Sequence, residues 1–316
     1  MKILFMGTPD FALFSLRALC DAGENVAAVV TQTDKPKGRG MALTPPPVKV
    51  YAAEKGIPVY QPKTLKDGAF ADELSRIDPE LIVVVAFGKI LPKYVLDYPK
   101  YGCINIHGSL LPKYRGAAPM QRAIMDGEAV TGVTSMVMAE GLDTGDMLLT
   151  ETVEIAPDDN FESVHDKLGE AGARVLLRTV DALRRGDLHP VKQNDAEATY
   201  AAKIEKAECR LDFSDDAKRL HDKIRGLSPF PLGYTTLPSG KLLKILRAHP
   251  TEESTDAAAG SVLAADKSGI KVACGKGCLV IETATPEGKK AQSAADLVNG
   301  RQIAVGDLLG SPNAKE

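Results

Sequence analysis

Paired cysteines, an excess of charge, a glycine fingerprint and a long apolar run are all missing from this chain. The five cysteines (Cys20, Cys103, Cys209, Cys274 and Cys278) are odd in number and scattered. That argues against a disulfide framework and for a reducing compartment. Cys274 and Cys278 lack a second ligand pair nearby, so a zinc site is not expected. The formal net charge is only −3, so a polyanionic partner would have to be met by local clusters of Lys and Arg. The first strand-to-helix turn holds one glycine, Gly7, where a dinucleotide site wants G-x-G-x-x-G, which argues against a nicotinamide cofactor. No apolar stretch approaches the roughly 20 residues a spanning helix needs. Ile3 to Met6 is broken too soon by Gly7-Thr8-Pro9-Asp10 to serve as a signal peptide. A cytoplasmic protein with no membrane partner is the expectation. Internal repeats and low-complexity tracts are absent as well.

What is present is ordinary globular composition, 44% hydrophobic and 26% charged, over 316 residues. That length exceeds what one core usually holds, so two domains are expected. Ile3 to Met6 reads as a buried strand. A helix carrying Phe11, Leu13, Phe14, Leu16 and Leu19 follows, with Thr8 as its cap and Pro9 in its first turn. Val26 to Thr31 is the next strand, which makes a βαβ unit and hence a doubly wound, mostly parallel α/β sheet. Leu81 to Ala86 (LIVVVA) is apolar throughout, as expected of a central strand covered on both faces. Val164, Leu168, Ala171, Val175, Leu176 and Leu183 recur at helical spacing, placing a helix over Asn160 to Arg185. The chain then turns polar. Residues 1–188 read as one domain, 189–208 as a linker and 209–316 as a second domain. That last part has one helix (Ala217 to Leu227) and several short β runs spaced by turn residues, the pattern of a small barrel.

The stretch of greatest chemical interest is Gly102 to Arg122, GCINIHGSLLPKYRGAAPMQR. Strand side chains alternate faces, so Asn105 and His107 point one way while Ile104 and Ile106 enter the core. An amide donor beside an imidazole at a strand end suits stabilising an oxyanion and moving a proton. A strand end that is merely polar is the plainer reading of either residue alone. Farther on, Glu140-Gly-Leu-Asp-Thr-Gly-Asp146 places Asp143 in a tight loop able to present a carboxylate. An imidazole base commonly needs such a group to hold its tautomer and stabilise its cation. Asp34 to Lys49 breaks the compact pattern, with Lys35, Lys37 and Arg39 set among Pro and Gly. A solvated loop would account for that charge, yet long loops in compact domains are often functional.

Asn105-Ile106-His107, Ser109-Leu110-Leu111-Pro112 and Arg115-Gly116 together resemble the signature of folate-dependent formyltransferases. Within that family, the opening MKILFMGTPDFA and the later GLDTGDML are most similar to the branch that formylates charged initiator tRNA, and the match runs over essentially the whole chain. The resemblance implies a Rossmann-like formyltransferase domain followed by an OB-like β-barrel domain. It implies Asn105, His107 and Asp143 as the catalytic residues, with Asp146 outside the set. It implies 10-formyltetrahydrofolate as the formyl donor, bound by Ser109, Leu110, Leu111 and Pro112, with Ile90 and Leu91 lining the pterin pocket. No metal is implied. The basic insertion would enter the acceptor end of the tRNA through Lys35, Lys37 and Arg39, with Lys203 and Lys206 as further phosphate contacts. A monomer is expected. The alternative acceptor is the amine of a sugar-nucleotide or another small molecule, although shorter relatives acting on small amines lack such an insertion.

Overall fold

The structure is a computed structural model and describes residues 1–37 and 42–310. Its strands up to residue 201 are β1 (Lys2–Gly7), β2 (Asn25–Val30), β3 (Lys35–Lys37), β4 (Ala42–Thr44), β5 (Val59–Tyr60), β6 (Leu81–Val85), β7 (Cys103–His107), β8 (Arg115–Gly116), β9 (Val130–Val137), β10 (Met147–Glu154) and β11 (Tyr200–Ala201). The helices over the same span are α1 (Asp10–Asp21), α2 (Pro47–Glu54), α3 (Ala71–Ile77), α4 (Lys93–Leu96), α5 (Pro119–Met125) and α6 (Phe161–Arg185). The chain divides into two compact units. One comprises Met1–Pro119, Val130–Glu154 and His165–Ala201. The other comprises Met120–Ala129, Ile155–Val164 and the chain from Ala202 onward.

In the first unit a seven-stranded sheet runs in the order β10-β9-β7-β6-β1-β2-β5. The pairings of β1 with β2 and β6, of β2 with β5 and of β6 with β7 are parallel, while β9 and β10 join antiparallel. The doubly wound expectation holds. All five residues of β6 are buried, because each face of the sheet is covered. On one face Leu4, Met6, Ile82, Val84 and Cys103 pack with Phe70, Leu74 and Ile77 from around α3. On the other, α6 approaches closely at Gly172, where an added Cβ would lie 3.1 Å from the Ile106 side chain. Alternation along β7 therefore puts Ile104 and Ile106 on the α6 side, and Asn105 and His107 on the side of Cys103.

Three local features depart from the sequence reading. Thr8 does not cap α1: its hydroxyl donates to the Phe87 carbonyl (3.2 Å) and accepts from the Gln32 N–H (3.3 Å), tying the ends of β1 and β6 together instead. β10 carried no signal, since its exposed Glu and Thr positions (MLLTETVE) hide an edge strand's periodicity. The basic insertion is flanked by an antiparallel pair, β3 with β4. Its base is fixed by Lys49 Nζ, 2.8 Å from both Asp34 carboxylate oxygens and from Gln61 Oε1.

In the second unit the strands are β12 (Gly233–Thr236), β13 (Leu242–Thr251), β14 (Val262–Asp266), β15 (Gly269–Ala273), β16 (Cys278–Pro286) and β17 (Gln292–Ser293), with helices α7 (Ala217–Leu227) and α8 (Ala294–Asn299). The order is β12-β13-β16-β15-β14, with β17 on β16, and every pairing is antiparallel. Leu220 and Ile224 of α7 share a core with Leu243, Ile245, Val272, Leu279 and Ile281. The antiparallel C-terminal domain is the one expected. Asp216 caps α7 through the Lys218 N–H (2.8 Å), and Ser293 with Asp296 forms a capping box on α8.

One ion pair of the first unit gives its stability a pH signature. Asp10, at the start of α1, lies 3.6 Å from His165 Nε2. The Asp10 carboxylate holds the His165 pKa above its ordinary value despite burial, Asp166 at 2.9 Å from Nδ1 acts in the same direction, and His165 in turn lowers the pKa of Asp10. A raised histidine stabilises fully below about pH 6.5, its unfolded value, and that contribution disappears as pH climbs through the folded value. A lowered carboxylate stabilises above about pH 4 and loses its contribution as pH falls through the folded value. Urea unfolding of the full chain, followed by circular dichroism, should show His165→Gln most destabilised near pH 5–6, the gap closing toward pH 8.5. A gap independent of pH would mean that the pair contributes nothing electrostatic.

Candidate active site

His107 ends β7 and is 6% exposed. Its Nε2 lies 2.9 Å from the Tyr114 carbonyl oxygen. A carbonyl can only accept, so this bond fixes a proton on Nε2. Nδ1 is then the nitrogen turned toward Asp143, whose Oδ2 is 3.8 Å away. That separation is longer than a hydrogen bond, so the carboxylate faces the ring as a charge and leaves the space beside Nδ1 unbridged. Asn105 is half-buried on the same strand face. Its carboxamide has no hydrogen-bond partner among the described residues.

Asp143 is gripped from elsewhere. Its Oδ2 accepts the Gly116 N–H at 2.8 Å. Its own backbone is left-handed, φ 52°, a conformation that Asp tolerates better than most residues. Two glycines permit the arrangement. Gly116 has φ 117°, and a Cβ there would stand 2.8 Å from the Ala201 carbonyl; one on Gly145 would stand 1.7 Å from the Val137 carbonyl. Behind the loop, Gln193 donates to the Asp143 carbonyl (2.8 Å) and the Gly145 carbonyl (2.7 Å). Its Oε1 accepts from Arg115 Nε (3.0 Å) and Nη2 (2.8 Å), and Arg115 also pairs with Asp195 at 2.8 Å. Arg115 is 2% exposed. Burial works against its charge, but hydrogen bonds to Asp195 and Tyr200 outweigh this and hold its pKa above the ordinary value.

The Ser109–Pro112 shelf folds back beside this centre. Ser109 is fully buried, its hydroxyl donating to the Lys113 carbonyl (2.7 Å). Its carbonyl accepts the Thr134 hydroxyl (2.8 Å), which in turn takes the Leu111 N–H (3.1 Å). Leu111 is buried, Leu110 and Pro112 half-buried, and the Leu111–Pro112 peptide is cis. Beyond β6, Ile90 is 88% exposed while Leu91 packs into the sheet core. The crevice past the carboxyl ends of β1 and β6 is where ligands of such sheets bind. Gln32 donates there to the Phe87 carbonyl (2.9 Å).

The structure thus brings Asn105, His107 and Asp143 onto one rim of the first unit. Of the basic residues singled out, Lys35 is exposed and donates to Gln32 Oε1 (2.7 Å). Arg39 and the side chain of Lys37 lie outside the described residues. In the second unit Lys203 is 79% exposed, 3.9 Å from Glu205, and Lys206 is exposed. Gln193, Asp195 and Thr199, whose hydroxyl accepts the Tyr114 N–H (2.8 Å), were not singled out by the sequence. They sit in a polar stretch that reads as solvated, and only their pairing with residues some 50 to 85 positions away gives them a role. Burial pushes the Cys103 thiol, on the strand that carries Asn105 and His107, up to about 12. Among the described residues no group of three or more His, Cys, Asp or Glu side chains is arranged to hold a metal.

Residues 1–180 match the family model of formyl transferases, and residues 203–302 match that of the formyl transferase C-terminal domain. A methionyl-tRNA formyltransferase from Citrifermentans bemidjiense is 49% identical over 314 residues, covering 99% of this chain and 98% of its own. Among solved structures, the sugar 3N-formyltransferase WlaRD covers 92% of this chain and 99% of its own, at a TM-score of 0.66 and 18% identity. HypX from Aquifex aeolicus, in a crystal structure with tetrahydrofolic acid, reaches 0.65 at 21% identity; the match takes in 96% of this chain but about half (48%) of the larger protein. At those identities the two structures speak for the fold alone. Both family models are matched in order and a relative aligns end to end at close to half identity, so the chain belongs to the formyl transferase family, in its methionyl-tRNA formyltransferase branch.

Proposed function

We propose that this chain transfers the formyl group of 10-formyltetrahydrofolate to the free amino group of methionyl-tRNA, the charged initiator, for translation initiation. The observation that carries the reading is the joining of Asn105, His107 and Asp143 at one rim in a chain whose relatives at 44–49% identity are named for that reaction. The amine attacks the formyl carbon, and a tetrahedral intermediate forms. Asn105 and protonated His107 donate to its oxyanion. The bond from the formyl carbon to N10 then breaks, the proton lost by the amine passes to N10, and tetrahydrofolate leaves. With Nε2 committed to Tyr114, Nδ1 is the nitrogen free to act, and Asp143 at 3.8 Å offsets the ring's positive charge. Ser109 to Pro112 and exposed Ile90 would meet the folate, with Leu91 supporting them from the core. HypX, a fold neighbour, was solved in complex with tetrahydrofolic acid.

The reading assigns catalysis to residues 1–188 and tRNA contact to the basic insertion and the domain from 209, across the 189–208 linker. It also assigns a monomer in the cytoplasm. No helix among the described residues is long and apolar enough to cross a membrane. A sugar-nucleotide acceptor is the alternative. The sugar N-formyltransferase WlaRD is a fold neighbour at only 18% identity, which favours the tRNA reading.

Losing an oxyanion donor typically costs about a hundredfold or more in turnover. Asn105→Ala and His107→Ala should lose that much kcat in steady-state formylation while formylfolate affinity changes little. Near-normal turnover by His107→Ala removes the proposed chemistry.

The insertion makes a separate prediction. Each phosphate neutralised on duplex contributes about −0.9 to the slope of log affinity against log salt. Alanine at Lys35, Lys37 or Arg39 should therefore flatten the slope for charged tRNA by about one unit each, leaving formylfolate affinity intact. Arg39, between Gly38 and Gly40, should matter most, because its planar fork suits phosphate and its neighbours let it approach. Equal, negligible effects at all three positions would reduce the insertion to solvated surface.

A further inference from the structure

Gln193 is 5% exposed and every polar atom of its side chain is used. Nε2 donates to two carbonyls on either side of the Asp143–Gly145 turn, at 2.8 and 2.7 Å. Oε1 takes two bonds from the buried Arg115 guanidinium, at 3.0 and 2.8 Å. The orientation of the amide is unambiguous, because a guanidinium only donates and a carbonyl only accepts. Besides Gln193, the turn is tied by the Gly116 N–H on the Asp143 carboxylate (2.8 Å) and the Val137 N–H on the Asp146 carbonyl (2.9 Å), while Gly141, Leu142 and Thr144 are exposed and Asp143 is left-handed.

We propose that Gln193 is a positioning residue for formyl transfer, pinning the turn at the Asp143 and Gly145 carbonyls so that the Asp143 carboxylate stays on the Gly116 N–H and opposite His107 Nδ1, with Arg115 fixing the direction of the amide. The inference rests on the reading of Asp143 as catalytic. A displacement of about 1 Å at a reacting group can cost on the order of a hundredfold, and an unpinned turn has that freedom. The polar stretch from Gln193 to Ala201 is thereby part of the machinery. Asp195 on Arg115, Thr199 on Tyr114 and the pairing of β11 with β8 draw the same segment against the signature loop.

Gln193→Glu separates positioning from simple support. An ionised carboxylate keeps both Arg115 bonds, but it is acceptor-only and faces two carbonyl oxygens. The full-length variant should remain folded by circular dichroism and lose about ten- to a hundredfold in kcat, with KM for both substrates within about twofold. In a double-mutant cycle with Asp143→Asn the second change should add nothing further. A folded Gln193→Glu with wild-type kcat overturns the proposal, as do losses that simply multiply with those of Asp143→Asn. If Gln193→Glu does not fold, Gln193→Met, which leaves Arg115 its Asp195 partner, decides by the same kcat criterion on the folded protein. Should Asp143→Asn alone prove near-normal, the catalytic reading of Asp143 fails instead, and that outcome is distinct.

Discussion

A single carboxylate joins parts of this chain that are far apart in sequence. Asp143 takes the Gly116 N–H, faces His107 at the end of β7, and has its own backbone carbonyl held by Gln193. Each partner depends on a different physical feature. His107 arrives where it does because β7 is clamped between β6 and β9, register-locked by Ile104 opposite Val83 and Val137. Gly116 is available because its φ of 117° and the nearby Ala201 carbonyl tolerate no side chain. Gln193 holds the turn because Arg115 beneath it is buried and must have its charge answered. Removing the Gln193 amide takes that donor from the Asp143 and Gly145 carbonyls, and a buried polar group left unpaired costs about 1–3 kcal/mol.

Much of this was legible in the sequence, for identifiable reasons. A short, β-branched apolar run such as LIVVV fits a strand covered on both faces, and β6 is one. Asn105 and His107, two apart on a strand, had to share a face. Asp143 was recognisable because glycines bracketed it near a motif already wanting a carboxylate. Three kinds of feature could not be seen. The role of Thr8 depends on Gln32 and Phe87, which only the sheet brings within reach. β10 lies at the sheet edge with a polar face, so its periodicity is diluted. Gln193 lies in a polar stretch with no period at all. Its burial is a tertiary fact, created by β11 pairing with β8.

The distribution of charge also became clearer. Lys218, Arg219, Lys223 and Arg225 of α7 are each engaged at home. Lys218 and Arg225 both pair with the buried Asp222, Arg219 with Asp215, and Lys223 with the Arg210 carbonyl. Cations already committed to partners gain less from a phosphate than free ones do. Lys206 is exposed, as are Lys203, 3.9 Å from Glu205, and Lys35, which donates to Gln32 Oε1. A chain with a net charge of −3 can meet a polyanion only through such local groups.

The most direct measurement is a single-turnover reaction with formyl-labelled 10-formyltetrahydrofolate, enzyme in excess, offered charged initiator tRNA and an amino-sugar nucleotide in parallel. Label appearing on the methionyl amine, with one tetrahydrofolate released per tRNA formylated and none on the sugar, is the expected result. Donor bound without turnover, or label transferred to the sugar alone, would contradict the assignment.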